Sequence, residues 1–523
     1  MIDILKKTIE FLKNLKSIFS FTLFIPLLIF FGKRSLIAFD EGFYALQAKW
    51  ILENNNWFVP LWWGDLSLDR TIGIQYLIAL SKKIFGSNIF AIHIPTTIAA
   101  SIMIFLTYQL QKELIRSKYK LASPLILSST FIWINYAHLA TQDIIFAAII
   151  TFGIISSIYC LRLQKNIYFF LSGFWIGIAF MMKTFLVFIP LLAIFPFLYK
   201  TKILKNKLFW LGLIVGFLPF LFWSLHIISF YGQERYLGLF EKLIFLSKKN
   251  NFTNPFYYYL WNLPLNIFPW SICAIVGFLN SKNLKNELSR YFLFTYPLVI
   301  LVLMSFFSTK TPYYPLQILS LISINSYLGI ENILSKRKNY LKFLNYFLFT
   351  FCSITIILAV IYINVGNISL GVSLYQRTFL SIGLISLSIL WLYSNKLNKF
   401  TNKLSLILIA PYFLTVFIVQ SGLIADRSRD LRIEIENLLK EENLYNKKIE
   451  VIKSDLGDQT SVSKIIKISV LIPKIGNGIA NINDLEKDQY AWTKTPTIDL
   501  DENQFTLVSD SEIFRPWKII KKN

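Results

Sequence analysis

Residues 143–161 read DIIFAAIITFGIISSIYCL, an apolar run with one charge at its first position. A second run, IYFFLSGFWIGIAFMM at 167–182, follows a short segment that contains Arg162 and Lys165. A helix needs about 20 mostly apolar residues to cross the hydrocarbon core of a bilayer. Two such runs around a short basic loop therefore predict two antiparallel helices that span a membrane.

The same pattern continues along the chain in both directions. Of the 523 residues, 55% are hydrophobic and only 16% are charged, which is too apolar for a soluble or disordered protein. The three scattered cysteines also exclude a disulfide framework. We predict about thirteen spans, near 17–38, 89–110, 120–138, 143–161, 167–182, 184–199, 208–230, 257–280, 291–307, 312–330, 342–363, 378–394 and 403–423.

The loop charges predict the orientation of these spans. With the N-terminus in the cytoplasm, the inside segments are all short and rich in Lys and Arg: 1–16, 111–120, 162–166, 200–207, 281–290, 331–342 and 395–403. This alternation is the positive-inside rule, and it predicts that the C-terminus lies outside. The net charge of +23 is explained by these loops, so nucleic acid is not an expected partner.

Two regions are predicted to lie outside the bilayer. Residues 39–88 form a long first outer loop, in which 72–85 is an amphipathic helix expected at the interface, with Lys82-Lys83 on one side. Residues 426–523 are expected to form a small extracytoplasmic α/β domain, beyond a transmembrane domain at 1–425. Its predicted elements are a helix at 426–443 and β-like runs at 449–453, 465–472 and 505–508.

Acidic residues lie at two places on the predicted outer side. Asp40-Glu41 follow the first span, and Asp143 opens the fourth. A carboxylate at such a place can orient or deprotonate an incoming hydroxyl group. The same positions also suit helix N-capping, which needs no functional explanation.

Three basic residues also fall on the outer side, against the general charge bias: Arg70, Lys183 and Lys310. Binding of a phosphate group would explain cations at these places. The alternative is that each side chain extends to the lipid headgroups. His93, His138 and His226 lack the spacing of metal ligands.

Several short strings together resemble a known superfamily. They are Asp40-Glu41-Gly42-Phe43-Tyr44-Ala45, Trp57-Phe58-Val59-Pro60, Phe85-Gly86, Thr141-Gln142-Asp143, Gly177-Ile178-Ala179 with Lys183-Thr184, Phe268-Pro269-Trp270, and Lys310-Thr311-Pro312-Tyr313-Tyr314. In this order they resemble the membrane glycosyltransferases of the GT-C fold, which include the aminoarabinose lipid A transferase and the dolichyl-phosphate-mannose protein mannosyltransferases. The chain departs from the family at Asp69-Arg70-Thr71-Ile72, where Glu-Lys-Pro-Pro is usual, and at Thr184-Phe185, where Gly-Pro is usual.

The resemblance implies a fold and an activity. The fold would be an all-α polytopic GT-C membrane domain in the inner membrane, with its active site and C-terminal domain outside. The activity would be inverting transfer of a hexose or pentose from a polyprenyl-phosphate donor to a lipid, glycan or protein acceptor of the cell envelope. Asp40, with Glu41 and Asp143, would be catalytic, and the donor phosphate would be held by Arg70, Lys183, Lys310, Tyr313 and Tyr314. A divalent cation is a possible cofactor, with Asp40 and Asp143 as its candidate ligands.

Other functions stay open at this point. Within the enzyme class, the alternative is a protein O-mannosyltransferase-like enzyme. A transporter or flippase of polyprenyl lipids is a different class, although such proteins tend to have inverted repeats and charges at mid-membrane. A non-catalytic lipid-binding relative is the third alternative.

Overall fold

The computed structural model describes residues 22–68, 70–247, 253–335, 338–364, 372–496 and 501–523. The predicted cytoplasmic segment 1–16 and the start of the predicted span 17–38 lie outside these ranges. The helices up to residue 420 are α1 Ile25–Leu28, α2 Phe43–Glu53, α3 Gly73–Phe85, α4 Ile89–Leu114, α5 Ala122–Ser128, α6 Phe131–Ala137, α7 Gln142–Leu163, α8 Asn166–Lys183, α9 Phe188–Lys200, α10 Lys207–Tyr231, α11 Gln233–Ser247, α12 Tyr258–Asn266, α13 Ser271–Ser281, α14 Glu287–Arg290, α15 Tyr296–Phe306, α16 Leu319–Ser335, α17 Lys338–Asn364, α18 Leu374–Ser394 and α19 Phe400–Gln420.

Shorter turns connect several of these helices. Ala38–Gly42 and Tyr291–Thr295 are π-helical, and Thr184–Val187, Ile203–Lys205 and Tyr314–Ile318 are 3₁₀ turns. Within the described ranges, eight helices are long and apolar enough to cross a membrane. The protein is therefore a multi-pass membrane protein, as predicted, while the number of thirteen spans and their orientation stay predictions.

Two predicted spans are broken in the structure, so their prediction as single helices is wrong. The span at 120–138 divides into α5 and α6, where the Ser129 and Thr130 hydroxyl groups donate to the carbonyls of Leu125 and Ile126, both at 2.8 Å. Such bonds to a carbonyl four residues back bend helices. The span at 257–280 divides into α12 and α13, because Pro269 has no N–H to continue the helix.

The helices α8 and α10 pack directly backbone to backbone. A Cβ atom at Gly177 would lie 2.2 Å from the carbonyl carbon of Gly216, and one at Gly212 would lie 1.9 Å from the Phe170 oxygen. Small residues at such crossings are typical of helices that associate within a membrane. The contact fixes α8, which ends at Lys183, against its neighbour.

The C-terminal part contains the helices α20 Arg429–Glu441 and α21 Gln459–Leu471 and a mixed sheet. Its strands are β3 Ile449–Val451, β4 Tyr490–Thr493, β5 Phe505–Ser509 and β6 Lys518–Lys522; the outer-loop hairpin β1 Leu61–Trp62 and β2 Asp65–Leu66 forms a separate pair. The sheet order is β3-β4-β6-β5, with β3 parallel to β4 and the other neighbours antiparallel. Short 3₁₀ turns occur at Lys453–Asp455 and Ile482–Asp484.

Most of the predicted elements of this region are present, with one correction. The helix predicted at 426–443 and the strands at 449–453 and 505–508 are found, but the β-like run 465–472 is the end of α21. Its isoleucines favour a strand locally. In the structure the segment continues a helix whose start is capped by Asp458, which accepts from the Ser461 N–H at 2.8 Å.

Candidate active site

The turn Ala38–Gly42 carries the first acidic pair of the sequence. It is π-helical, and the Gly42 N–H donates to the Ile37 carbonyl at 2.9 Å. Single π turns in proteins are frequent at functional sites. The Asp40 side chain is partly exposed, and no hydrogen bond to its carboxylate is found among the described residues. Its carboxylate is therefore available to a ligand.

Glu41 points the opposite way, into the protein. It is fully buried, and its Oε1 accepts from the Ala140 N–H at 2.6 Å, while its Oε2 accepts from the Ile37 N–H at 2.9 Å. Oε1 also lies 3.1 Å from Nε2 of the buried His93. The His93 Nδ1 lies 2.9 Å from the Ile89 carbonyl and donates to it. This carboxylate fixes the turn to α4 and to the start of α7.

The second acidic residue, Asp143, forms a buried ion pair with Lys183. Asp143 lies in the first turn of α7 and Lys183 is the last residue of α8, and their side chains are 9% and 8% exposed. Because α7 and α8 are consecutive and antiparallel, the start of one and the end of the other lie at the same end of the bundle. The next residue, Thr184, has φ of 43°, a conformation that costs a branched side chain free energy and that glycine adopts freely.

Arg70 approaches Asp40 from the first outer loop. Its Nη1 donates to the Tyr44 hydroxyl, and its guanidinium lies 5.4 Å from the Phe43 ring centre and 5.1 Å from that of Tyr44. These aromatic contacts hold a planar guanidinium better than an ammonium group. The ring stacking thus fits an arginine at position 70 better than a lysine.

The charges around Asp40 act on its protonation. Burial raises the pKa of Asp40, and the nearby Asp143 carboxylate raises it further, whereas Arg70 and Lys183 lower it. Burial also raises the pKa of the neighbouring Tyr44, although Arg70 opposes this shift. The structure therefore brings Asp40, Asp143, Arg70 and Lys183 into one electrostatic cluster.

Tyrosine side chains line this cluster. The Lys183 Nζ lies 5.0 Å from the ring centre of Tyr313 and 5.6 Å from that of Tyr314. The ring of Tyr136 lies 5.3 Å from that of Tyr313. Sequence reasoning singled out Tyr313 and Tyr314, but it missed Tyr136, which has no motif of its own. It also gave no role to Tyr44, although this residue stands inside the quoted Asp40 string.

Lys310 lies apart from these charges. It is 4% exposed, and its ammonium group donates to the carbonyls of Asn254 at 2.8 Å and Phe307 at 2.6 Å. No contact with Asp40 or Asp143 is found in the described part of the chain. The geometry favours a cation that holds the end of α15, where the helix dipole is negative, over the predicted phosphate ligand.

The Lys310→Met substitution tests this reading. We expect it to lower the free energy of unfolding by about 1.5–3 kcal/mol, because hydrogen bonds of a charged donor are lost. The transferase activity that the sequence resemblance implies should fall by less than about threefold in kcat, since the site charges stay in place. Thermal unfolding in detergent and steady-state kinetics would check both values. A large loss of kcat with an unchanged melting temperature would restore the phosphate role.

No group of three or more His, Cys, Asp or Glu side chains that could hold a metal ion is found in the described ranges. Asp40 and Asp143 were the predicted candidate ligands. Asp143 is paired with the Lys183 ammonium, which supplies positive charge at the place where a cation would bind. The donor set at this place fits a lysine ion pair better than a divalent ion.

The sequence is similar to several known membrane proteins. Residues 69–225 match the family described as dolichyl-phosphate-mannose-protein mannosyltransferase. An uncharacterised protein of Aquifex aeolicus is 27% identical over 55% of this chain and 59% of its own length. The undecaprenyl phosphate-alpha-4-amino-4-deoxy-L-arabinose arabinosyl transferase 1 of Pseudomonas fluorescens is 25% identical over 53% of this chain and 52% of its own length. The chain thus matches little more than half the length of these relatives.

A solved structure extends the similarity to nearly the whole chain. The crystal structure of ArnT from Cupriavidus metallidurans bound to undecaprenyl phosphate superposes with a TM-score of 0.74 at 10% identity, over 96% of this chain and 97% of that one. The apo structure of the same protein gives 0.72. At this identity the superposition shows the fold. The chain therefore has the fold of ArnT, and part of its sequence is similar to dolichyl-phosphate-mannose-protein mannosyltransferases and to aminoarabinose transferases.

Proposed function

We propose that this protein transfers a sugar from a polyprenyl-phosphate donor to a lipid or cell-envelope glycan acceptor. The observation that carries the proposal is the cluster around Asp40: an available carboxylate beside Arg70 and the Asp143–Lys183 pair. A carboxylate can accept the proton of an attacking hydroxyl group, and adjacent cations can stabilise a departing phosphate. A membrane protein with both groups at one end of its bundle suits a lipid-linked donor.

An apolar groove along two of the membrane helices is consistent with binding of a lipid tail. The groove has a volume of about 890 Å³ and is lined by residues of α4 and α7, including Phe90, Ile94, Ile98, Ile145, Ile149 and Phe152. Ile94 directly follows His93, which contacts Glu41, and Ile145 lies two residues after Asp143. The groove therefore runs along α4 and α7 from the end of the bundle at which Asp143 lies, and an isoprenoid chain would fit along it.

The proposed reaction is a single displacement at the anomeric carbon. The acceptor hydroxyl oxygen forms a bond to that carbon while the bond from the carbon to the phosphate oxygen breaks, so the configuration inverts. The hydroxyl proton goes to Asp40, and the electron pair leaves with the polyprenyl phosphate. Because negative charge grows on the phosphate during this step, Lys183 and Arg70 act most strongly in the transition state.

The other predicted site residues take supporting roles in this proposal. Glu41 positions the Asp40 turn, since both of its oxygens are used by backbone N–H groups and His93. Asp143 orients Lys183, and Tyr313 and Tyr314 face the ammonium group and can donate to phosphate oxygens. The relatives' names favour an aminopentose as the sugar. We place the reaction on the extracytoplasmic face of the inner membrane.

A transfer assay with purified protein in detergent tests the proposal. Radiolabelled pentoses and hexoses on undecaprenyl phosphate would be offered together with a total envelope extract, and products would be separated into lipid, glycan and protein fractions. We expect label in the lipid or glycan fraction and release of undecaprenyl phosphate. Label in the protein fraction would favour the protein O-glycosyltransferase alternative. Movement of intact donor across vesicle membranes without transfer would instead indicate a transporter.

The pH dependence of transfer follows from the charges around Asp40. If Asp40 accepts the proton, kcat/KM falls on the acid side as Asp40 becomes protonated, at a pH above the ordinary carboxyl value of about 4. Asp143→Asn removes a like charge and leaves Lys183 without its partner, and both changes lower the pKa of Asp40. We therefore expect the acid limb of the pH–rate profile to move to lower pH in this variant. An acid limb that moves to higher pH would contradict Asp40 as the base.

A further inference from the structure

The C-terminal helix α21 contacts the turn that carries Asp40. A Cβ atom built on Gly42 would lie 2.5 Å from Cγ2 of Ile466, which is too close for any side chain, and 3.2 Å from the Ile37 carbonyl. Ile466 is 0% exposed. The backbone of Gly42 has φ of −61° and ψ of −40°, which every residue adopts easily. Glycine is therefore required here by the contact with Ile466 and not by the backbone conformation.

Further contacts hold α21 on the first outer loop. Lys49, about two turns beyond the Asp40 turn on α2, is 2% exposed, and its ammonium group donates to the carbonyls of Ser469 and Ile472 at the end of α21. A cation is favoured at a helix C-terminus by the dipole. The Trp50 Nε1 donates to the Gly476 carbonyl at 3.2 Å. The helix that leaves the Asp40 turn is thus fixed to the C-terminal domain.

The domain also binds the loop on either side of this helix. The Ser35 hydroxyl oxygen, ahead of the turn, accepts from the Ser428 N–H at 2.7 Å. The hairpin β1–β2 is held by an ion pair of 3.2 Å between Asp65 and Lys453. Contacts before, at and after the turn leave it little freedom to move independently of the C-terminal domain.

We propose that the C-terminal domain positions Asp40 for the reaction. In this proposal Ile466 fixes the position of the turn that carries Asp40, because its side chain packs directly against the backbone of Gly42. This inference rests on the proposed function, because the effect of Ile466 is transmitted to transfer through Asp40. Donor binding uses Lys183, which lies on α8, together with Arg70, whose guanidinium lies against the rings of Phe43 and Tyr44 just after the turn. A shifted turn should therefore lower kcat far more than it raises the KM for the donor.

The test combines one substitution that should lower activity, Gly42→Ala, with a second, Ile466→Ala, that should restore part of it. Gly42→Ala adds a methyl group where Cγ2 of Ile466 lies, so the turn must shift; a displacement of about 1 Å costs about 100-fold in rate. We expect kcat to fall by about this factor with the donor KM changed less than about threefold. Ile466→Ala removes the obstructing methyl group, so the Gly42→Ala/Ile466→Ala variant should regain at least about tenfold in kcat over Gly42→Ala.

A matched control is available on the same helix. Ile468 is also 0% exposed, but it lies two residues further along α21, about 200° around the helix axis. Gly42→Ala/Ile468→Ala should lose the same buried volume without regaining activity. Binding of undecaprenyl phosphate and thermal unfolding, measured on every variant, would show that each one is folded.

The outcomes separate this inference from the proposed function. A wild-type protein that transfers no sugar from any polyprenyl-phosphate donor would overturn the function itself. An active wild type with a fully active Gly42→Ala variant would overturn only the positioning role of Ile466. The same holds if Gly42→Ala is inactive and Ile466→Ala restores it no better than Ile468→Ala does.

Discussion

We expect the Asp40→Asn variant to lose sugar transfer, with kcat/KM lowered by about 10²–10⁴-fold. The amide that replaces the carboxylate has the same shape but cannot accept the hydroxyl proton. Asp40 is suited to this role because its carboxylate has no hydrogen-bond partner in the described part of the chain and its pKa is raised by burial and by Asp143. Steady-state transfer assays with saturating donor would measure the loss.

Two controls make this result specific to chemistry. The variant should bind undecaprenyl phosphate as tightly as the wild type and unfold at the same or a slightly higher temperature, because the substitution removes a partly buried charge. Asp510→Asn makes the same chemical change in the C-terminal domain, where Asp510 lies 3.9 Å from Arg515, and should leave transfer intact. A fully active Asp40→Asn enzyme would refute the proposed mechanism.

The second large effect is expected at Lys183. Lys183→Met removes the cation nearest to Asp143 and the tyrosine rings, and we expect kcat to fall by about 10²–10³-fold, as for removal of one group that stabilises transition-state charge. It also leaves Asp143 buried without a partner, which should lower the free energy of unfolding by about 3–5 kcal/mol. Loss of activity alone could therefore reflect either lost charge stabilisation or poor folding.

A double substitution separates these two causes. Lys183→Met/Asp143→Asn removes both members of the ion pair, so no buried charge is left without a partner. We expect the melting temperature to return close to that of the wild type while transfer stays at the level of Lys183→Met. If activity returned together with stability, Lys183 would be a structural partner of Asp143 and not a phosphate ligand.

Part of the site could be predicted from the sequence because it follows from topology. Asp143 begins one apolar run and Lys183 ends the next, so any antiparallel pair of spans places both at one end of the bundle. Asp40 and Arg70 belong to the loop on the same predicted side. These four residues do come together, whereas Tyr44 and Tyr136 were missed, because an aromatic residue near a membrane surface gives no signal that separates a site wall from an interfacial belt.

Only tertiary contacts decided whether each charged side chain points into the site or into the protein. Asp40 and Glu41 are neighbours in sequence and chemically equivalent, yet Glu41 is buried against Ala140 and His93, which lie in distant segments. Lys310 has the same kind of sequence context as Lys183, but its ammonium group faces the carbonyls of Asn254 and Phe307. The sequence shows which groups are neighbours along the chain, whereas the partners of Glu41 and Lys310 include residues 52 to 99 positions away.

The sequence by itself determined that this chain is a multi-pass membrane protein with a polar C-terminal domain, because hydropathy is a local sum that any 20-residue window contains. It also determined the end of the bundle at which the charges gather. Only the tertiary structure decided that 465–472 is helical and that this helix lies against Gly42. The physical reason is that Ile466 is buried by residues of the first outer loop, and burial between distant segments outweighs the weak local preference of isoleucine for a strand.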